Sequence, residues 1–91
     1  MFEWDEDKRL ANLVKHGVDF ADAGRLDWDA ALTLRDTRGS YGEERFVSIL
    51  PLGERLHVCV WTWRKPPRRL ISLRKANRKE EALYAAQDLY Q

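Results

Sequence analysis

"RLHVCVWTWR", residues 55–64, is the strongest strand signal in the sequence. Val, Trp and Thr dominate it and its side chains alternate, the composition of a strand on a pleated, half-buried surface. Period-2 geometry places Leu56, Val58, Val60, Thr62 and Arg64 on one face and His57, Cys59, Trp61 and Trp63 on the other. Upstream, "PLGE" (51–54) turns the chain back into a second apolar run, "ERFVSIL" (44–50). "GSYGE" (39–43) has the Gly and Ser content of a turn and leads back to "AALTLRD" (30–36), the first strand. Downstream, "KPPR" (65–68) must be a turn, because consecutive prolines cannot sit in a central strand. "RLISLRK" (69–75) then forms the fourth strand.

Helices flank this block. Asp5 caps a helix predicted from Asp5 to His16, with acids in its first turn and Leu10, Leu13 and Val14 at helical spacing. Lys15 and His16 close it on the negative end of the helix dipole, and Gly17 follows as the stop. A second, short helix is predicted behind Asp19, with Phe20, Ala23 and Leu26 as its buried stripe and Val18 as a staple. The last helix covers "ANRKEEALYAAQDLY" (76–90), with Asn77 as N-cap. The order α-α-β-β-β-β-α predicts an α+β fold: two N-terminal helices, a four-stranded, mainly antiparallel sheet and a C-terminal helix. At 91 residues this is a single domain, 1–91.

Composition narrows the function. No apolar run approaches the roughly 20 residues of a membrane helix, and the acidic, aromatic N-terminus is unlike a signal peptide, so a cytoplasmic protein without membrane contact is expected. Cys59 is the only cysteine, which excludes an intramolecular disulfide, and its apolar surroundings predict a packed thiol. Two histidines and one cysteine provide no metal-ligand spacing, and no glycine-rich phosphate loop is present, so neither metal nor other cofactor is expected.

Charge is the informative feature. The net charge is only +1, yet from Arg64 to Lys79 there are eight bases (Arg64, Lys65, Arg68, Arg69, Arg74, Lys75, Arg78 and Lys79) and no acid. Such a cluster repels itself unless an anionic partner relieves it, and nucleic-acid phosphate is the partner it suits. Alternation along 69–75 places Leu70, Ser72 and Arg74 on one face and Arg69, Ile71, Leu73 and Lys75 on the other. An Arg on a mostly apolar face must be paired or must await an anion. Trp61 reads as core, and Trp63, at the strand end, as core or as a stacking platform for unpaired bases. Glu43 and Glu44 beside Arg45 read as a surface ion pair. Alternatively, they place a carboxylate that takes a proton from a ribose hydroxyl while guanidinium groups stabilise the phosphorane.

"FEWDEDKRLANLVKHGVDFADA" resembles the opening of the BrnT family of bacterial toxins. The pattern falls here on Phe2, Trp4, Asp5, Lys8, Asn12, Lys15, His16, Gly17, Val18 and Phe20. "EERF", "TWR" at 62–64 and "RLISLRKANRKEEALY" resemble the family's later blocks. The resemblance implies a RelE-like ribonuclease toxin that cuts RNA without metal. It further implies neutralisation by a BrnA-type ribbon-helix-helix antitoxin and, through that antitoxin, contact with operator DNA. The implied catalytic candidates are Lys15, His16, Glu44, Arg45, Arg64 and Arg74. Glu44 or His16 would transfer protons, Arg45, Arg64 and Arg74 would hold phosphate, and Lys15 could do either. Arg68, Arg69, Lys75, Arg78 and Trp63 are the expected RNA contacts. The chain departs from the family's pattern at Gly39, where a His commonly precedes Ser, and at Trp63, where Glu is frequent. Those departures support a second reading, a catalytically weak module that acts mainly as antitoxin partner and co-repressor.

Overall fold

The computed structural model describes residues 2–39, 42–63 and 67–87. They form a five-stranded mixed sheet of order β1-β5-β4-β3-β2, with β1 at Phe2–Glu3, β2 at Leu32–Asp36, β3 at Arg45–Leu52, β4 at Arg55–Trp63 and β5 at Arg68–Lys75. Helix α1 spans Glu6–His16 and α2 spans Arg78–Ala86, while Phe20–Arg25 and Trp28–Ala30 are 3-10 turns. No helix among the described residues is long and apolar enough to cross a membrane.

The predicted four-stranded sheet with two N-terminal helices is corrected in two places. Phe2–Glu3 pairs in parallel with Arg68–Arg69, adding a fifth strand too short for any period to reveal. The expected second helix is a 3-10 turn. Phe20, Ala23 and Leu26 are buried as predicted, but they recur every three residues, which is the 3-10 repeat rather than the α repeat. Asp19 caps this turn through Ala21 N–H, and Leu26 has already left it in extended conformation.

Strand β4 lies at the centre of the sheet, and its two faces separate as alternation predicts. Cys59 and Trp61 join one core cluster with Val18, Phe20, Ala23, Leu26, Leu50, Leu70 and Leu73, beneath the 3-10 turns, with Phe2 and Trp4 packed against it. Val58 joins Ile49 and Ala76 in a second cluster beneath α2, with Tyr84 packed against it. Strand β5 departs from simple alternation. Val60 faces Ser72 but Trp61 faces Leu70, so Ile71 is an extra residue at a bulge. The predicted grouping of Leu70 with Ser72 and Arg74 is therefore wrong. Leu70 lies with Leu73 in the first core, while Arg74 and Ser72 stay on the opposite face.

Helix α1 turns an unusual side to the sheet. Its one buried residue is Asn12, whose side chain donates to Leu73 C=O (2.7 Å) and Val18 C=O (3.0 Å) and accepts from Leu73 N–H (3.1 Å). The amide thus replaces a neighbouring strand on the edge of β5 that two-residue β1 leaves uncovered. Leu10 and Val14, the apolar stripe of the sequence, face outward instead, and Val14 is 89% exposed.

Candidate functional site

Helix α2 covers the sheet around Ile49, Leu56 and Val58, where Tyr84 packs and donates from its hydroxyl to Ala30 C=O (2.6 Å). Beside it the sheet opens into a cleft of about 220 Å³. Leu34, Val47, Val58 and Val60 make its apolar floor, and Arg35, Arg38, Arg74, Asp36 and Glu80 stand around it. Arg74 reaches this face because it sits opposite Val58 in the ladder. Its guanidinium donates to both oxygens of Glu80 (2.7 and 2.6 Å), and Glu80 also accepts from Asn77 N–H to close the capping box of α2. The hydrogen bond to Arg74 holds the Glu80 carboxyl below its ordinary range and raises Arg74 above its own. The predicted Arg on an apolar face is therefore paired, in the fork geometry that also fits a phosphate.

Lys15 and His16 lie in the last turn of α1. They line a groove of about 230 Å³ between α1 and β5 together with Lys8, Asn12, Ile71 and Ser72. Burial, then the charges of Lys15 and Arg74, push the His16 imidazole below its ordinary value. A half-buried imidazole kept neutral beside two cations is suited to accept a proton.

Glu44 and Arg45 lie elsewhere. Arg45 is on the Arg74 face, but Ile49, not Arg45, is the β3 residue opposite Val58. The four-residue offset plus two strand spacings puts the two backbones roughly 16 Å apart. Arg45 approaches Glu43 (3.5 Å), the ion pair expected from the sequence, while Glu44, exposed, approaches Arg35 instead (3.7 Å). Arg64 lies outside the described residues. Lys15 and His16 thus share one groove, within reach of the charge of Arg74 on the separate cleft beside α2, and Glu44 and Arg45 lie at the far end of the sheet.

Among the remaining expected RNA contacts, Arg69 pairs with Glu3 (3.1 Å), while Lys75 and Arg78 are exposed around the start of α2. Trp63 is half exposed, and Arg68 sits among tryptophan rings on the opposite face from Arg74. Trp61 and His57 are buried, the latter with Nδ1 2.9 Å from Arg55 C=O. Arg38 and Glu80 carry no reading in the sequence, and Asn12 enters there only as a position of the family's pattern. An Asn in mid-helix is itself a signal, because it disfavours that position unless its amide is used. Asn77 followed by Glu80 has the capping-box spacing that would have located the partner of Arg74.

A family model described as "Ribonuclease toxin, BrnT, of type II toxin-antitoxin system" matches residues 4–80. The chain belongs to the BrnT family. That match contains α1, the whole of β2 to β5 and the capping box, so Lys15, His16, Arg74 and Glu80 all lie inside it. BrnT membership makes the protein a ribonuclease toxin of a type II toxin–antitoxin system, with RNA as target and an antitoxin as partner. Comparison with curated proteins finds no significant match. Among the described residues of this BrnT toxin no three His, Cys, Asp or Glu side chains group as a metal site.

Proposed function

We propose that the chain cleaves RNA without a metal ion on the open face of its sheet, and that a BrnA-type ribbon-helix-helix antitoxin neutralises it and carries it to operator DNA. The observation that supports the site is that the charge of Arg74, which lines the cleft, acts on His16, which lines the groove between α1 and β5. Neutral His16 removes the proton of a ribose 2′-hydroxyl. The 2′-oxygen attacks the adjacent phosphorus, the 5′-oxygen leaves with a proton from Lys15, and a 2′,3′-cyclic phosphate remains. Arg74 exchanges Glu80 for the phosphorane oxygens and stabilises their charge, with Arg38 adding to the field. Guanidinium groups fulfil the electrostatic task that a divalent ion performs elsewhere. Arg69, Lys75 and Arg78 steer the strand, and Arg45 and Glu44 act further along it.

Incubating the purified chain with single-stranded RNA in excess chelator tests this. Fragments ending in cyclic phosphate are expected, and chelator-sensitive cutting would refute the metal-free route. The engagement of Arg74 by Glu80 favours a second reading, a weak nuclease whose main role is to bind antitoxin as co-repressor. Intact RNA beside tight antitoxin binding would decide for it.

A further inference from the structure

Arg68 is held in an unusual way. Its guanidinium carbon lies 4.3 Å from the Trp28 ring centroid, 4.7 Å from that of Trp61 and 5.1 Å from that of Trp63. Its Nε is buried without a hydrogen-bond partner, and no carboxylate pairs with it among the described residues. Burial accordingly pulls its pKa below the usual arginine value. A desolvated cation stacked on indoles, with no anion of its own, is oriented at low entropic cost and retains unused donors.

Trp63 completes the arrangement. It stands edge-on against Trp61 (5.0 Å, 88°), which fixes its plane, yet it is half exposed. Its open side faces a cleft of about 320 Å³ lined by Glu43, Glu44, Phe46 and Thr62. Glu43 and Glu44 on that rim lie beside Arg45 and Arg35, and their carboxylates keep lone pairs that accept from the N–H edge of a base, so the cleft takes the base. The phosphate must then go to Arg68, next to the indole.

We infer that Trp63 and Arg68 form a nucleotide subsite of the toxin, in which an unpaired RNA base stacks on Trp63 while a phosphate of the same strand contacts Arg68. The inference rests on the RNA-cleaving reading and extends it to the sheet face opposite Arg74. Both groups are immobilised before RNA arrives, so the subsite binds single strands in preference to duplex, whose bases are already stacked.

Fluorescence anisotropy with a short 2′-O-methyl oligoadenylate, which the 2′-hydroxyl mechanism cannot cut, and with the same backbone lacking bases, tests the assignment. Trp63→Ala should weaken oligoadenylate binding at least about fivefold and leave the abasic strand unaffected. Trp63→Phe should restore most of the loss. Arg68→Gln should weaken both strands and lower the slope of log affinity against log salt by about 0.7, one phosphate contact on a single strand. A Trp63→Ala loss equal on both strands, or absent from both, overturns the subsite, as does a full salt slope in a folded Arg68→Gln chain. If the unsubstituted chain cuts RNA while Trp63→Ala binds normally, the subsite fails alone. If the unsubstituted chain neither binds nor cuts RNA, both fail.

Discussion

Asn12 shows how one side chain can replace a strand. Its amide satisfies the N–H and C=O of Leu73 and the C=O of Val18 in a buried setting, so Asn12→Ala strands groups that no water reaches. The expected loss is between about 2 and 4 kcal/mol in urea unfolding. A change under 1 kcal/mol, at roughly the net value of a single hydrogen bond, would show that the edge of β5 is satisfied otherwise. His16 makes the kinetic prediction at this scale. Its pKa is lowered by burial and by the charges of Lys15 and Arg74, so a general base there stays active below the ordinary value of 6.5 and loses rate only at more acid pH. Replacing Arg74 by Gln removes a cation, eases protonation, and should move the acid limb of kcat/KM upward. A limb that stays in place would separate His16 from Arg74. Cys59 is simpler, since complete burial pushes its thiol up to about 12 and the native protein should resist thiol reagents until it unfolds.

At the scale of elements, most of β2 to β5 and both helices could be read from composition and caps, because Asp5, Gly17 and Asn77 act through local geometry alone. What escaped was non-local. Phe2–Glu3 becomes a strand only because β5 offers a free edge, and the bulge at Ile71 exists only in register with Val60 and Trp61. The bulge matters for the site, since simple alternation would have put Leu70 beside Arg74 on the open face. The apolar stripe of α1 also misled, because the helix anchors itself through Asn12 and leaves Val14 in water. Val14→Lys should therefore change stability by no more than about 0.5 kcal/mol. The Arg74–Glu80 pair ties the capping box of α2 to β5. The lowered Glu80 pKa stabilises the fold above the ordinary carboxylate value near 4.5, and that contribution is lost as pH falls through the lower folded value. Acid unfolding of Glu80→Gln should show a shallower pH dependence over that interval than the parent chain.

Across the whole molecule, the basic segment from Arg64 to Lys79 proves to be several devices in one run of sequence. Around the strand β5, Arg68 sits among indoles on one face, and on the other Arg69 pairs with Glu3 and Arg74 with Glu80. Lys75 and Arg78 are exposed at the root of α2. Charge counting found the cluster, but the sheet register divides it between two faces. The candidate catalytic residues divide as well, Lys15, His16 and Arg74 at one end and Glu44 and Arg45 at the other. This division makes the central claim testable by rate: RNA is cut where Arg74, on the open face, and His16, at the end of α1 beside β5, act on one phosphodiester. The decisive measurement is the single-turnover rate of cleavage of a short RNA by the parent chain, by His16→Ala, by Arg74→Ala, and by Arg25→Ala as an exposed control on a 3-10 turn. The account predicts a loss of at least about a hundredfold in each of the first two variants, as expected for removing a general base or a preorganised charge, and an unchanged rate in the third. Parental rates in folded His16→Ala and Arg74→Ala would contradict it.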